Sequence, residues 1–163
     1  MSSSGKIKIA TPALKNALVV VVRTEWNASI VEELFAGCKK LLNAKKIKIR
    51  EIIVPGAVEI PFAIKKCWEE SKKPRPDAFI ALGCVIKGDT PHFEYVCQSV
   101  TQGITTLNLQ LPVATIFGIL TVNTAAQAAE RIGGKEGHKG TEAADAAIKM
   151  ISISRSLQRS FIS

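Results

Sequence analysis

His92 closes the run Lys87-Gly-Asp-Thr-Pro-His92, a spacing that sets an imidazole beside a series of backbone amides. Histidine exchanges protons near neutral pH, and the free N–H groups of a helix start attract anions. Thr90-Pro91 has the form of an N-cap followed by proline at the first helical position, so the pattern predicts a helix beginning there. Gly88, Asp89 and Thr90 would then turn N–H groups toward an anion. The Asp89 carboxylate must face away, because it would repel that anion. The alternative is a histidine packed at a helix start without a chemical role.

Three other segments carry groups of interest. Trp26-Asn27 follows an apolar run and offers an aromatic face for a planar ligand, with Asn27 as a polar handle or a helix cap; Trp26 as a hydrophobic plug is the competing reading. Pro55-Gly-Ala-Val-Glu59 is a small-residue turn that places a carboxylate in the first turn of the next helix, able to accept from ligand hydroxyls or to complement the helix dipole. Arg131 and Lys139 flank Gly133-Gly-Lys-Glu-Gly-His-Lys-Gly140. The spacing is wrong for a P-loop, and the composition suits a turn between two helices, with Arg131 able to grip a phosphate through two N–H groups. Ordinary helix-terminal charge is the plainer reading of both cations.

The elements that must position these residues are legible. Ala17 to Val22 is an unbroken β-branched run, as expected of a strand covered on both faces. Ile30, Val31, Leu34, Cys38, Leu41 and Leu42 then recur at helical spacing. Ile47 to Val54 reads as a second strand, Ile60 to Trp68 as a second helical stripe, Ala78 to Ile86 as a third strand and Phe93 to Leu107 as a third helix. Val113 to Leu120 is a fourth strand. Thr124-x-x-Gln127 is a capping box opening a short helix that ends at Gly133-Gly134, and an Ala-rich helix runs from about Thr141 into the tail. Alternating strands and helices without long linkers predict a doubly wound α/β domain whose ligands bind beyond the carboxyl ends of the strands. All the segments above fall in or near those loops.

Composition narrows the partners. The chain has 163 residues, 22 Lys+Arg against 14 Asp+Glu, a formal charge of +8 and a mean hydropathy of +0.17. One domain with a sizeable core is expected across the chain, residues 1–14 being a flexible or edge-strand arm. Disorder and a membrane span are excluded, and the Met-Ser-Ser-Ser-Gly-Lys start lacks the apolar stretch of a secretory leader, so a cytoplasmic location is expected. The positive charge suits acidic ligands. Lys39, Lys40, Lys45, Lys46 and Lys48, and again Lys65, Lys66, Lys72 and Lys73, gather about helix ends. They read as a solvated face offsetting helix dipoles, and no aromatic-rich motif points to nucleic acid. Cys38, Cys67, Cys84 and Cys97 have neither C-x-x-C nor zinc-finger spacing and read as free thiols, so no metal site is expected.

Taken together, Trp26-Asn27, Val54-Pro-Gly-Ala-Val-Glu-Ile-Pro61, Gly83-Cys-Val-Ile-Lys-Gly-Asp-Thr-Pro-His-Phe-Glu-Tyr95, Phe117-Gly-Ile-Leu-Thr121, Gln127-Ala-Ala-Glu-Arg131 and His138-Lys-Gly-Thr-Glu-Ala-Ala144 resemble the lumazine synthase family of riboflavin biosynthesis. The likeness runs in one register from about residue 15 to residue 152, and the block around His92 is highly specific. It implies a flavodoxin-like, three-layer sandwich with a four-stranded parallel sheet. It also implies condensation of 5-amino-6-ribitylaminouracil with 3,4-dihydroxy-2-butanone 4-phosphate to 6,7-dimethyl-8-ribityllumazine, with release of phosphate and water. By that resemblance Trp26, where phenylalanine is commoner, stacks on the pyrimidine. Asn27, Ala57, Val58 and Glu59 hold the ribityl chain, and the Val85 and Ile86 backbone meets the ring edge. Asp89 and Thr90 give N–H groups to the phosphate, Arg131 neutralises it and His92 moves protons. Glu130 and Lys139 match further polar catalytic positions, and Phe117 belongs to the pyrimidine pocket. His138 stands where asparagine is common, and Pro112 lies further before Phe117 than the usual proline.

The family's sites lie between neighbouring subunits of a homopentamer, so Phe117, Arg131 and Lys139 are expected from a neighbour. The short turn between Arg131 and Lys139 lacks the insertion of pentamer-only members, which suggests an icosahedral shell of twelve pentamers. No metal or redox cofactor, nucleic acid or membrane is implied. The alternative is a non-catalytic flavin- or nucleotide-binding module of the same fold. A phospho-receiver domain lacks the acidic cluster it needs where the first strand ends Arg23-Thr24-Glu25, and a purely structural shell is the third reading.

Overall fold

The computed structural model describes residues 14–162. Most of the expected arm, residues 1–13, lies outside that range. β1 (Leu18–Thr24), β2 (Lys48–Val54), β3 (Ala78–Ile86) and β4 (Ala114–Val122) form one parallel sheet in the order β2-β1-β3-β4. α1 (Ala28–Ala44) and α5 (Lys139–Ile162) cover one face; α2 (Ile60–Glu70) and α3 (His92–Gln110) cover the other. This is the doubly wound, three-layer α/β sandwich that the alternating pattern predicts.

β1 explains why a continuous apolar run is required. Val19 and Val21 enter the cluster built with Leu34, Cys38, Ala144 and Ile148, whereas Val20 and Val22 enter the one built with Ile60, Ile64, Phe79 and Ile104. All four valines are fully buried, each removal from water being worth about 1.5–3 kcal/mol. β2 pairs only with β1, and its exposed Lys48, Arg50 and Glu51 suit an edge strand.

Register fixes where the loops emerge. Thr24 pairs with Val54, and Arg23 lies opposite Leu82, so β3 continues past the end of β1. The overhanging Cys84–Ile86 segment pairs on its other side with Leu120–Val122 of β4 and forms a wall above the sheet.

Four expectations change. Thr90 makes no cap: its side chain bonds to no backbone N–H of α3, which starts at His92 directly after Pro91, whose carbonyl accepts from Glu94 N at 3.0 Å. The capping box of α4 (Ala125–Ala129) is present, but that helix stops at Ala129. The glycine-rich stretch is a hairpin, not a simple turn between helices: β5 (Ile132–Gly134) pairs antiparallel with β6 (Gly137–His138), aided by positive φ at Gly133 and Gly137. α5 therefore begins at Lys139. Finally, the last turns of α1 and α2 hold no basic residue. Lys45 and Lys46 fall past the end of α1, and Lys65 and Lys66 pair instead with Glu69 and Glu70 one turn on.

Candidate active site

The loops after β1, β2 and β3 enclose a cavity of about 530 Å³. Its lining includes Trp26, Asn27, Ala57, Val58, Glu59, Val85, Ile86, Thr90 and His92, nine of the residues singled out from sequence. They come from three crossovers, so only the parallel register brings them together.

Each wall has a local cause. Asn27, the N-cap residue of α1, lies in the left-handed region at φ 57°, which asparagine tolerates better than most side chains. Its carbonyl accepts from Ile30 N and Val31 N. Its amide does not cap the helix; Nδ2 donates to the Cys84 carbonyl at 2.8 Å, tying the first loop to the overhang of β3. Thr24, 2% exposed, donates from Oγ1 to the Trp26 carbonyl at 3.2 Å. Trp26 is thereby held at the mouth of the cavity with 74% of its surface exposed.

The second loop is a 3₁₀ turn, Ala57–Glu59, running into α2. Gly56 N donates to Glu59 Oε2 at 2.9 Å, which fixes the carboxylate over its own turn and leaves Oε1 to accept from a ligand. In the third loop Gly88, Thr90 and His92 line the cavity, while Asp89 is exposed and lies outside the lining. A wider groove of about 830 Å³ flanks β2 and α2, but it contains no histidine and only Glu59 of the candidate residues.

Arg131, Glu130 and Lys139 lie elsewhere, lining a second cavity of about 510 Å³ beyond the end of β4. Arg131 Nη1 donates to the Glu136 carbonyl at 3.1 Å, and Lys139 N donates to the Arg131 carbonyl at 2.7 Å. Arg131 and Lys139 approach one carboxylate oxygen, Glu142 Oε2, at 3.7 and 3.9 Å. Such long, partly exposed pairs are worth about 0–1 kcal/mol, so a dianion can replace them cheaply. Glu130 has a structural duty, as its Oε2 accepts from Lys135 N at 3.1 Å and braces the hairpin. Phe117 lines neither cavity; its side chain packs on the α2–α3 face of the sheet.

Sequence reasoning missed Thr24 and the Cys84 carbonyl. A threonine ending an apolar strand is a weak signal, and a backbone acceptor gives none. Cys84 itself is no nucleophile: burial pushes its thiol up to about 11.

Residues 16–155 match the family model of 6,7-dimethyl-8-ribityllumazine synthase. The chain belongs to the 6,7-dimethyl-8-ribityllumazine synthase family. Similar proteins of that name include one from Parabacteroides distasonis, 44% identical with 89% of this chain and 91% of the relative aligned. Another, from Porphyromonas gingivalis, is 45% identical over 90% and 91% of the two chains. A third, from Bacteroides fragilis, is 46% identical over 85% and 97%. Membership makes this a transferase of riboflavin biosynthesis that forms 6,7-dimethyl-8-ribityllumazine. The lumazine synthase match spans both cavities, from the Trp26 loop to the start of α5.

Proposed function

We propose that the Trp26–His92 cavity is where the lumazine forms, from 5-amino-6-ribitylaminouracil and 3,4-dihydroxy-2-butanone 4-phosphate. The observation that carries the assignment of roles is the convergence of an exposed indole, an oriented carboxylate and an imidazole on one cavity of about 530 Å³. Trp26 stacks on the pyrimidine. Asn27, Ala57, Val58 and Glu59 hold the ribityl chain, with Glu59 Oε1 accepting from a hydroxyl. The Val85–Ile86 backbone meets the ring edge. Asp89 and Thr90 give N–H groups to the phosphate, and His92 takes and returns protons while the ring amine attacks the ketone and the imine forms. Arg131 grips the phosphate and stabilises it as it leaves, with Lys139 beside it. Glu130 orients that hairpin, and Phe117 of a neighbouring copy closes the pyrimidine pocket. Holding both substrates together converts their encounter into an intramolecular step.

Arg131 and Lys139 occupy a different cavity of the chain from His92, which supports a site completed by a neighbouring copy in a homopentamer. The hairpin has only Lys135 and Glu136 between Gly134 and Gly137, and this short turn supports assembly into an icosahedral shell. Four free thiols among the described residues support a cytoplasmic setting, and no described helix is long and apolar enough to cross a membrane. Residues 1–163 act as one domain.

The test is lumazine formation, followed by fluorescence, with His92→Ala and Arg131→Ala beside the unaltered protein. His92→Ala is expected to lower kcat by about 10²–10⁴-fold, and Arg131→Ala to raise KM for the phosphorylated ketone. Co-assembling the two variants restores activity if the site is shared. Normal turnover in both refutes the roles, failure to complement refutes the sharing, and a pentameric mass in fresh solution refutes the shell.

A further inference from the structure

We infer that His138 is a positioning residue for the phosphorylated substrate, acting as a wedge that sets the Arg131–Lys139 hairpin against α1. The inference rests on the proposed role of Arg131. His138 is paired with Ile132 across the hairpin and immediately precedes α5. Its Nδ1 accepts from Thr141 N at 3.3 Å, the position that an N-cap side chain serves at the third residue of a helix. The same ring lies flat against α1. A Cβ added at Gly37 would meet His138 Cε1 at 2.1 Å and both ring nitrogens at 2.6 Å, so the imidazole fills the space that a side chain at residue 37 would take.

A second contact fixes the angle. One turn earlier on α1, the Leu34 carbonyl lies where a Cβ on Gly140 would stand, at 1.9 Å. Gly37–His138 and Leu34–Gly140 are thus two points of close approach on one face of α1, and together they determine the pitch of the hairpin. Residues 131 and 139 bracket that hairpin and are bonded across its base through Lys139 N and the Arg131 carbonyl. Any tilt about the two contacts therefore carries both cations with it. His138 lines neither cavity, so it acts on the anion only through those neighbours.

The test compares His138→Ala, His138→Asn, Gly37→Ala and the Gly37→Ala/His138→Ala pair in the full chain, with Arg131→Ala alongside. KM for each substrate, kcat, the inhibition constant of inorganic phosphate and the thermal midpoint are measured. His138→Ala is expected to raise KM for the phosphorylated ketone and the phosphate inhibition constant about two- to tenfold, the range of one intramolecular hydrogen bond, without moving KM for the pyrimidine. His138→Asn keeps an acceptor for Thr141 N and recovers part of the loss. Gly37→Ala displaces the ring and reproduces the defect, yet adds nothing once residue 138 is alanine. An unchanged phosphate constant in His138→Ala overturns the inference, as does a parallel shift in both substrates' KM values or full additivity of the pair. If His138→Ala does not fold, Gly37→Ala against His138→Asn decides the same point. Arg131→Ala with an unaltered phosphate constant indicates failure of the underlying role of Arg131 instead.

Discussion

Asn27 offers the sharpest test of how the first loop is held. The side chain serves two ends: it tolerates φ 57°, and its Nδ2 satisfies the Cys84 carbonyl at 2.8 Å. Replacing it with alanine loses the bond and orphans a carbonyl of a residue only 5% exposed, at about 1–3 kcal/mol. It also sets a Cβ in the left-handed region without a compensating side chain, at about 1–2 kcal/mol. Asn27→Ala should therefore cost about 2–5 kcal/mol. Asn27→Gly loses the same bond but escapes the backbone penalty, so glycine should be the more stable by about 1 kcal/mol. At an ordinary helical position the order is the reverse, alanine winning by about 1 kcal/mol, which makes the sign diagnostic. Urea midpoints for the three proteins at one protein concentration give the comparison, and KM for the pyrimidine shows whether the Trp26 wall has moved. Alanine equal to or better than glycine would refute the account of Asn27.

Gly118→Ala should cost about 1–3 kcal/mol by overpacking, because the new Cβ would meet the Ala81 carbonyl at 2.8 Å and Leu82 Cδ2 at 2.6 Å within the sheet; an unchanged urea midpoint counts against this. Burial pushes the Cys38 thiol from 9.0 up to about 12. The folded value is the raised one, so the neutral thiol's contribution is complete below pH 9 and is lost as pH rises from 9 toward 12. Stability measured across that window should fall less steeply in Cys38→Ala, by up to about 1.4 kcal/mol per pH unit, and parallel curves would contradict it.

What the sequence discloses follows from how local each cause is. β1 is legible because four consecutive valines have no solvent-facing alternative, and α1 because Val31, Leu34, Cys38 and Leu42 recur on one face. Thr124 and Gln127 signal a cap through residues three apart, and the bonds form as read. Residues 132–138 were not legible as a hairpin, since their glycines suit any turn and Ile132–His138 is too short a pairing to show alternation. Thr90-Pro91 misleads because the dipeptide marks where the helix starts but cannot show whether the threonine hydroxyl turns back to cap it, and it does not. In the site, residue types on loops after strands were readable. The bond from Asn27 to Cys84, 57 residues apart, was not, because it depends on β3 outrunning β1. That Arg131 should come from a neighbouring subunit is an expectation of the family resemblance alone, and the placing of His92 and Arg131 in separate cavities of the chain is not encoded in their spacing.

The burial of Val19 to Val22 from both sides has a consequence in time. Amides of β1 are paired on both edges, with β2 and β3, and shielded above and below, so solvent deuterium reaches them only when the whole sheet comes apart. The hairpin over residues 132–138 is only two short strands, held to the rest of the chain by the His138 contact with α1. The Trp26 loop, which follows β1 directly, thus stands on the slowest-exchanging floor of the molecule, while the cations of the second cavity ride on a ladder of two short strands.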